Sequence, residues 1–141
     1  MTADGHAADA VLARADVPAT GLPAPPALAL VVVTCMDARI DPLAVLGLAA
    51  GDAHVIRNAG GVVTDDVIRS VGLSQTALGT REVLVAQHTG CGAHPAGADM
   101  EASVREAVRA LRAADALPHR DRVRGALIDL VDGGVRPVAD E

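Results

Sequence analysis

Lysine, phenylalanine, tyrosine and tryptophan are absent from this 141-residue chain, and cysteine occurs only twice. Without aromatic side chains the core has to be filled by Val, Leu, Ile and Ala, which bury less area each than aromatics do. A domain of that kind gains stability from a partner subunit or a bound metal. All twelve cationic residues are arginine, a compositional bias with no mechanism attached. Against eighteen acidic residues they leave a formal charge of −6. That balance leaves no basic surface to release counterions, so nucleic acid and anionic membranes are not expected partners. Long hydrophobic stretches are missing too: the longest apolar run, Ala27 to Val33, is far too short to span a bilayer. The first thirty residues lack the basic region and long apolar stretch of a secretory signal, so the expected compartment is a reducing cytoplasm. There a Cys35–Cys91 disulfide is a weaker reading than metal ligation or catalysis.

What is present reads as one domain. Half of the residues are apolar, enough for a core at this length. Residues 1–26 read as an arm, with a short helix over Ala3 to Ala15 and an extended stretch carrying four prolines from Val17 to Pro26. Residues 27–141 read as a single α/β domain. The β-branched run Leu28 to Val33 predicts a strand buried on both faces of a parallel sheet. Asp41-Pro42 supplies an N-cap and first-turn proline for a short helix to Leu48, and Ala53 to Arg57 a second strand. Thr64, Asp65 and Asp66 start a helix that ends at Gly79. Glu82 to Gln87 predicts a third strand, Met100 to Leu117 an amphipathic helix, Val123 to Val131 a fourth strand and Val135 to Val138 a short edge strand. Alternating strands and helices imply a mainly parallel sheet of order 2-1-3-4 with a fifth strand at its edge.

Chemistry concentrates in two segments, Thr34-Cys35-Met36-Asp37-Ala38-Arg39 and His88-Thr89-Gly90-Cys91-Gly92. Two thiolates and an imidazole suit zinc, and three protein ligands leave a tetrahedral ion one open position, the mark of a catalytic site. Cys35 and His88 directly follow predicted strands, and ligands of open α/β sheets gather at such carboxyl ends. Asp37 can reach the open position or hydrogen-bond its water, and Arg39 can hold that carboxylate bidentately. Asn58-Ala59-Gly60-Gly61 forms a tight loop whose glycines are first of all turn residues, with amides that can face the crevice. His94 is a candidate proton shuttle, while His54 is expected within a strand edge and not as a ligand. The plainer readings are a buried small hydrophobe for Cys35 and a structural ion pair for Asp37 and Arg39.

Cys35-Met36-Asp37-Ala38-Arg39, Arg57-Asn58-Ala59-Gly60-Gly61 and His88-Thr89-Gly90-Cys91-Gly92, in that order, resemble the β-class carbonic anhydrases, and the likeness runs almost continuously over residues 28–92. The resemblance implies Zn2+ on Cys35, His88 and Cys91, an Asp37–Arg39 dyad, and reversible hydration of CO2 to bicarbonate by zinc-bound hydroxide. It also implies a homodimer or dimer of dimers in which the N-terminal arm embraces the neighbouring subunit. Relatives usually carry a longer helical segment after the position of Gly92, often with aromatics lining the pocket; here Ala93 to Gly97 runs almost at once into the last long helix. Three rival readings remain: hydrolysis of carbonyl sulfide or carbon disulfide on the same site, a catalytically degenerate zinc-binding regulatory protein, and a thiol redox protein. The last is disfavoured by the lack of a Cys-x-x-Cys arrangement.

Overall fold

The structure, a computed structural model, describes residues 5–140. Five strands, β1 (Leu30–Cys35), β2 (Ala53–Asn58), β3 (Glu82–His88), β4 (Val123–Ile128) and β5 (Val135–Val138), form one sheet of order β2-β1-β3-β4-β5. The first four are parallel and β5 runs antiparallel to β4, as the pattern of apolar runs predicts. The helices are α1 (Ala7–Arg14), α2 (Pro42–Leu46), α3 (Asp65–Leu78) and α4 (Met100–Ala113).

Several boundaries move for identifiable reasons. Strand β1 begins at Leu30, because Ala29 adopts a left-handed backbone (φ 51°) that turns the chain, and it continues through Cys35. Helix α2 stops at Leu46 because Gly47 caps it in the left-handed region (φ 65°). Helix α4 ends at Ala113, yet Leu117 remains buried because a turn from Ala114 folds it back onto the core. Strand β4 ends at Ile128, where the Asp129 carboxylate collects the amides of Val131 and Asp132 and starts a turn. The start of the expected arm helix, Ala3 and Asp4, lies outside the described residues.

Alternation along the strands divides the core into two layers. Val31 and Val33 of β1, Val83 and Val85 of β3 and Val123 of β4 pack against Val67 and Val71 of α3 and Val104, Val108 and Leu111 of α4. Gly125 of β4 lets α4 approach closely: a Cβ there would collide with Val104 Cγ1. The opposite layer is smaller. Ala86 and Ile128 pack against Ile40, Val45 and Leu130, so α2 covers only the carboxyl end of the sheet. Near the other end a groove of about 410 Å³ exposes Leu30 and Leu84 between Glu82, Arg122 and Arg124.

The arm stands away from this core. No residue of α1 is buried, and Leu12 and Val17 are largely exposed. It is anchored at Ala27 and Leu28, whose amides bond the carbonyls of Gly51 and Asp52.

Candidate metal centre

Parallel pairing places the carboxyl ends of β1 and β3 side by side, with Thr34 opposite Ala86. Cys35 and His88 are the terminal residues of these two neighbours, and the tight turn at Gly90 (φ 64°) returns Cys91 to the same point. All three side chains are buried, and their ligand atoms lie within 4.8 Å of one another. The two Sγ atoms are 3.8 Å apart. A tetrahedral ion with Zn–S bonds of about 2.3 Å requires a sulfur–sulfur separation of about 3.8 Å.

His88 completes the fit. Its Nδ1 lies 2.8 Å from the Thr89 carbonyl, which can only accept, so Nδ1 carries the proton and Nε2 presents a lone pair. That Nε2 is buried with no hydrogen-bond partner. A buried acceptor beside two sulfurs, with no partner in the protein, completes a donor set that fits a metal cation.

Two backbone amides address the sulfurs. Gly60 N donates to Cys35 Sγ at 3.3 Å. Burial pushes the Cys91 thiol up, the Ala93 amide pulls it back down, and nearby Cys35 and Asp37 push it up again. Gly60 reaches the sulfur because the 3₁₀ turn Ala59–Gly61 lies against the end of β1. Gly61 (φ 64°) is pressed so close that a Cβ would stand 3.0 Å from the Thr34 carbonyl carbon. Its own carbonyl accepts from the buried Gln87 Nε2 at 3.2 Å.

Asp37 Oδ1 accepts from Arg39 N and Nε at 2.8 and 3.0 Å, and Oδ2 accepts from Arg39 Nη2 at 2.8 Å. The Arg39 guanidinium, and then its amide, holds the Asp37 carboxyl well below the usual carboxylate range, and Asp37 in turn raises Arg39. Arg39 Nη2 also donates to the Gly90 carbonyl, which ties the pair to the turn bearing His88 and Cys91. Asp37 Oδ2 ends 3.6 Å from His88 Nε2. A cavity of about 330 Å³ opens at this point, walled by Ala59, Gly60, Gly92 and Ala93 around the two cysteines, with exposed Met36 at its rim.

The other two histidines singled out in the sequence sit differently. His94 lines two further cavities, of about 160 and 270 Å³, the larger of them shared with Cys91, and its ring packs against Gly60 with Nε2 buried and unpartnered. His54 lies on edge strand β2 and bonds Ser74 of α3 at 2.7 Å, away from the sulfurs. Sequence reasoning missed the Gly60-to-sulfur contact and assigned no role to Arg57 or Gln87. The one signal for the first was a glycine pair able to bring backbone close to another strand.

These features define an open α/β sheet with a buried Cys–His–Cys group able to hold a metal ion at its carboxyl edge. A family model described as carbonic anhydrase matches residues 30–130, and the chain belongs to that family. Beta-carbonic anhydrase 1 of Mycobacterium tuberculosis is 59% identical over 71 residues, covering 50% of this chain and 44% of that relative. A carbon disulfide hydrolase of Acidianus sp. is 52% identical over 61 residues, 43% of this chain and 30% of that protein. The chain thus spans less than half the length of these curated relatives. Over the whole fold, the crystal structure of carbonic anhydrase from Streptococcus mutans superposes with a TM-score of 0.78 at 38% identity, covering 94% of this chain and 92% of that one.

Proposed function

We propose that the chain is a zinc enzyme that hydrates CO2 reversibly to bicarbonate and a proton. The observation that carries this reading is the ligand geometry: sulfurs 3.8 Å apart beside an orphaned, buried His88 Nε2. Cys35 Sγ, His88 Nε2 and Cys91 Sγ would hold the zinc, which would supply Lewis acidity to a water near neutral pH. The two thiolates would offset the ion's charge, and the amides of Gly60 and Ala93 relieve the sulfurs of part of theirs. Asp37, kept ionised by Arg39, offers a carboxylate that would accept a hydrogen bond from the attacking water and orient it towards the substrate. The small walls Ala59, Gly60, Gly92 and Ala93 admit a linear triatomic molecule beside the sulfurs. The loop Asn58–Gly61 serves the metal ligand Cys35 first, through the Gly60 amide. The released proton passes to buffer, with His94 as the candidate relay in the adjoining cavities.

The decisive experiment pairs metal analysis with stopped-flow CO2 hydration on one sample. One zinc per chain and measurable hydration are expected, with kcat/KM rising with pH to a plateau. Asp37→Asn should keep the zinc and lose roughly 10- to 100-fold in kcat/KM. Stoichiometric zinc without turnover at any pH would leave a degenerate binding protein instead. The carbon disulfide hydrolases among the relatives favour a second reading, hydrolysis of CO2 isosteres on the same atoms, and sulfide release assayed alongside CO2 hydration separates the two.

We further propose that residues 1–26 form an arm on a catalytic domain of residues 27–141, and that the working form is a homodimer or a dimer of dimers. The unburied α1 and the open apolar groove at Leu30 and Leu84 support this assembly. No described helix is long and apolar enough to cross a membrane. Two unbridged, buried thiols in a metal-ready arrangement support a reducing, cytoplasmic setting.

A further inference from the structure

Arg57, near the end of β2, directs its guanidinium into the loop that follows β1. Its Nε donates to the Cys35 carbonyl at 2.8 Å, and its Nη2 to the carbonyls of Asp37 and Ile40 at 2.9 and 3.2 Å. Among the described residues no ion pair joins it to a carboxylate. Surface arginines ordinarily face solvent or a carboxylate, for little gain. This one gathers three carbonyl dipoles from the short span Cys35–Ile40, which holds a metal ligand and both members of the Asp37–Arg39 pair. Beyond the β1–β2 ladder at Cys35, the span is held by Met36 N to the Asn58 carbonyl, Ile40 N to the Asp37 carbonyl and Arg39 N to Asp37 Oδ1. Arg57 adds the side-chain clamp that fastens three of its carbonyls to β2.

We infer that Arg57 is a positioning residue: by fixing the carbonyls on either side of Met36 it sets the direction in which the Asp37 carboxylate leaves the chain, keeping it on Arg39 and off the Cys35–His88–Cys91 ligand set. This rests on the metal-centre reading of that set. Asp37 Oδ2 is already 3.6 Å from His88 Nε2, so a small rotation of the loop brings an oxygen donor to the point where the ligands converge. Carboxylate oxygen is a good zinc ligand, and it would occupy the position that water and substrate need. Arg39 is also tied to the Gly90 carbonyl, but its backbone belongs to the same loop, so its grip on Asp37 depends on where Arg57 sets that loop.

Cobalt(II), loaded in place of zinc, reports the ligand set through its visible spectrum, so parent, Arg57→Met and the double variant Arg57→Met/Asp37→Asn are to be compared as cobalt proteins, with CO2 hydration measured on the zinc forms. Arg57→Met should shift the cobalt bands and lower kcat about 10- to 100-fold, with KM little changed. Adding Asp37→Asn should return the bands to the parent's positions, because an amide is a poorer ligand than a carboxylate. Arg57→Lys should fall between, since one ammonium does not reproduce the fork that spans three carbonyls. If Arg57→Met loses its far-UV circular dichroism, Arg57→Lys carries the comparison. A parent-like spectrum and kcat in the Arg57 variant overturn the inference. So does a band shift that persists in the double variant, because Arg57 would then act without Asp37. A parent that takes up no cobalt overturns the metal-centre reading and this inference together.

Discussion

Replacing Gly61 by alanine tests how the glycine loop and the end of β1 depend on each other. Two costs add at this position. An alanine held at φ 64° carries a left-handed penalty of about 1–2 kcal/mol. Its Cβ would stand 3.0 Å from the Thr34 carbonyl carbon and 3.2 Å from Cys35 N. Those atoms belong to a central strand and cannot swing aside as a side-chain tip would, so overpacking adds about 1–3 kcal/mol. The sum is about 2–5 kcal/mol, and at roughly 4 °C per kcal/mol for a domain of this size the melting temperature should fall by about 8–20 °C. Gly79→Ala is the matched control: Gly79 has φ 77° at the end of α3, but a Cβ there meets nothing within 4 Å. It should lose only the left-handed term, about 4–8 °C. Far-UV circular dichroism is the suitable readout, because the chain has no tryptophan or tyrosine to fluoresce. Equal losses in the two variants would refute the claim that contact with β1, rather than backbone conformation alone, demands glycine at 61.

Three further tests address other parts of the molecule. The amides of Asp132 and Val131 hold the Asp129 carboxyl below its usual range, so its ionised form favours the native state. That contribution is complete above the ordinary carboxylate pKa of about 4 and fades as pH falls towards the lower folded-state value. The urea midpoint should therefore drop below about pH 4, and Asp129→Asn should drop less steeply; equal slopes would exclude Asp129 as a source. At the sheet–helix contact, Gly125→Ala should cost about 1–3 kcal/mol and be partly rescued by Val104→Ala; an unrescued double variant would show that the collision is not with Val104. Finally, stripping zinc with a chelator should lower the melting temperature, and restoring it at a thousandfold excess over its Kd should add about 4 kcal/mol of stability. An unchanged transition would mean that no metal binds the native state preferentially.

Much of this architecture was legible because its signals are local. The apolar runs Val31–Val33 and Val83–Ala86 mark strands that tertiary packing does not override. Asp41 and Thr64 cap helices with their own side chains, within three residues of the amides they bind. The meeting of Cys35, His88 and Cys91 was legible because their chemistry and their position at strand ends agree. Contacts between segments far apart in sequence stayed hidden. The Gly60 amide meets a sulfur 25 positions away, and Arg57 meets a carbonyl 22 positions away. Neither contact leaves a trace in residue periodicity, since a backbone donor can belong to any residue and an arginine at a strand end is ordinarily solvated. His94 lies between the two cases: the turn that begins at Cys91 sets its ring beside Gly60, in a cavity that Cys91 also lines.

The side-by-side termini of β1 and β3 also govern the order of events in biogenesis. Cys35 and Cys91 are separated by 56 positions, so an emerging polypeptide has no chelating pair until Cys91 has left the ribosome and the two central strands have annealed. A metal taken up by this group would then be a late clasp on strands already paired rather than a nucleus for them. A clasp that forms after the rate-limiting barrier slows unravelling and leaves the speed of folding untouched.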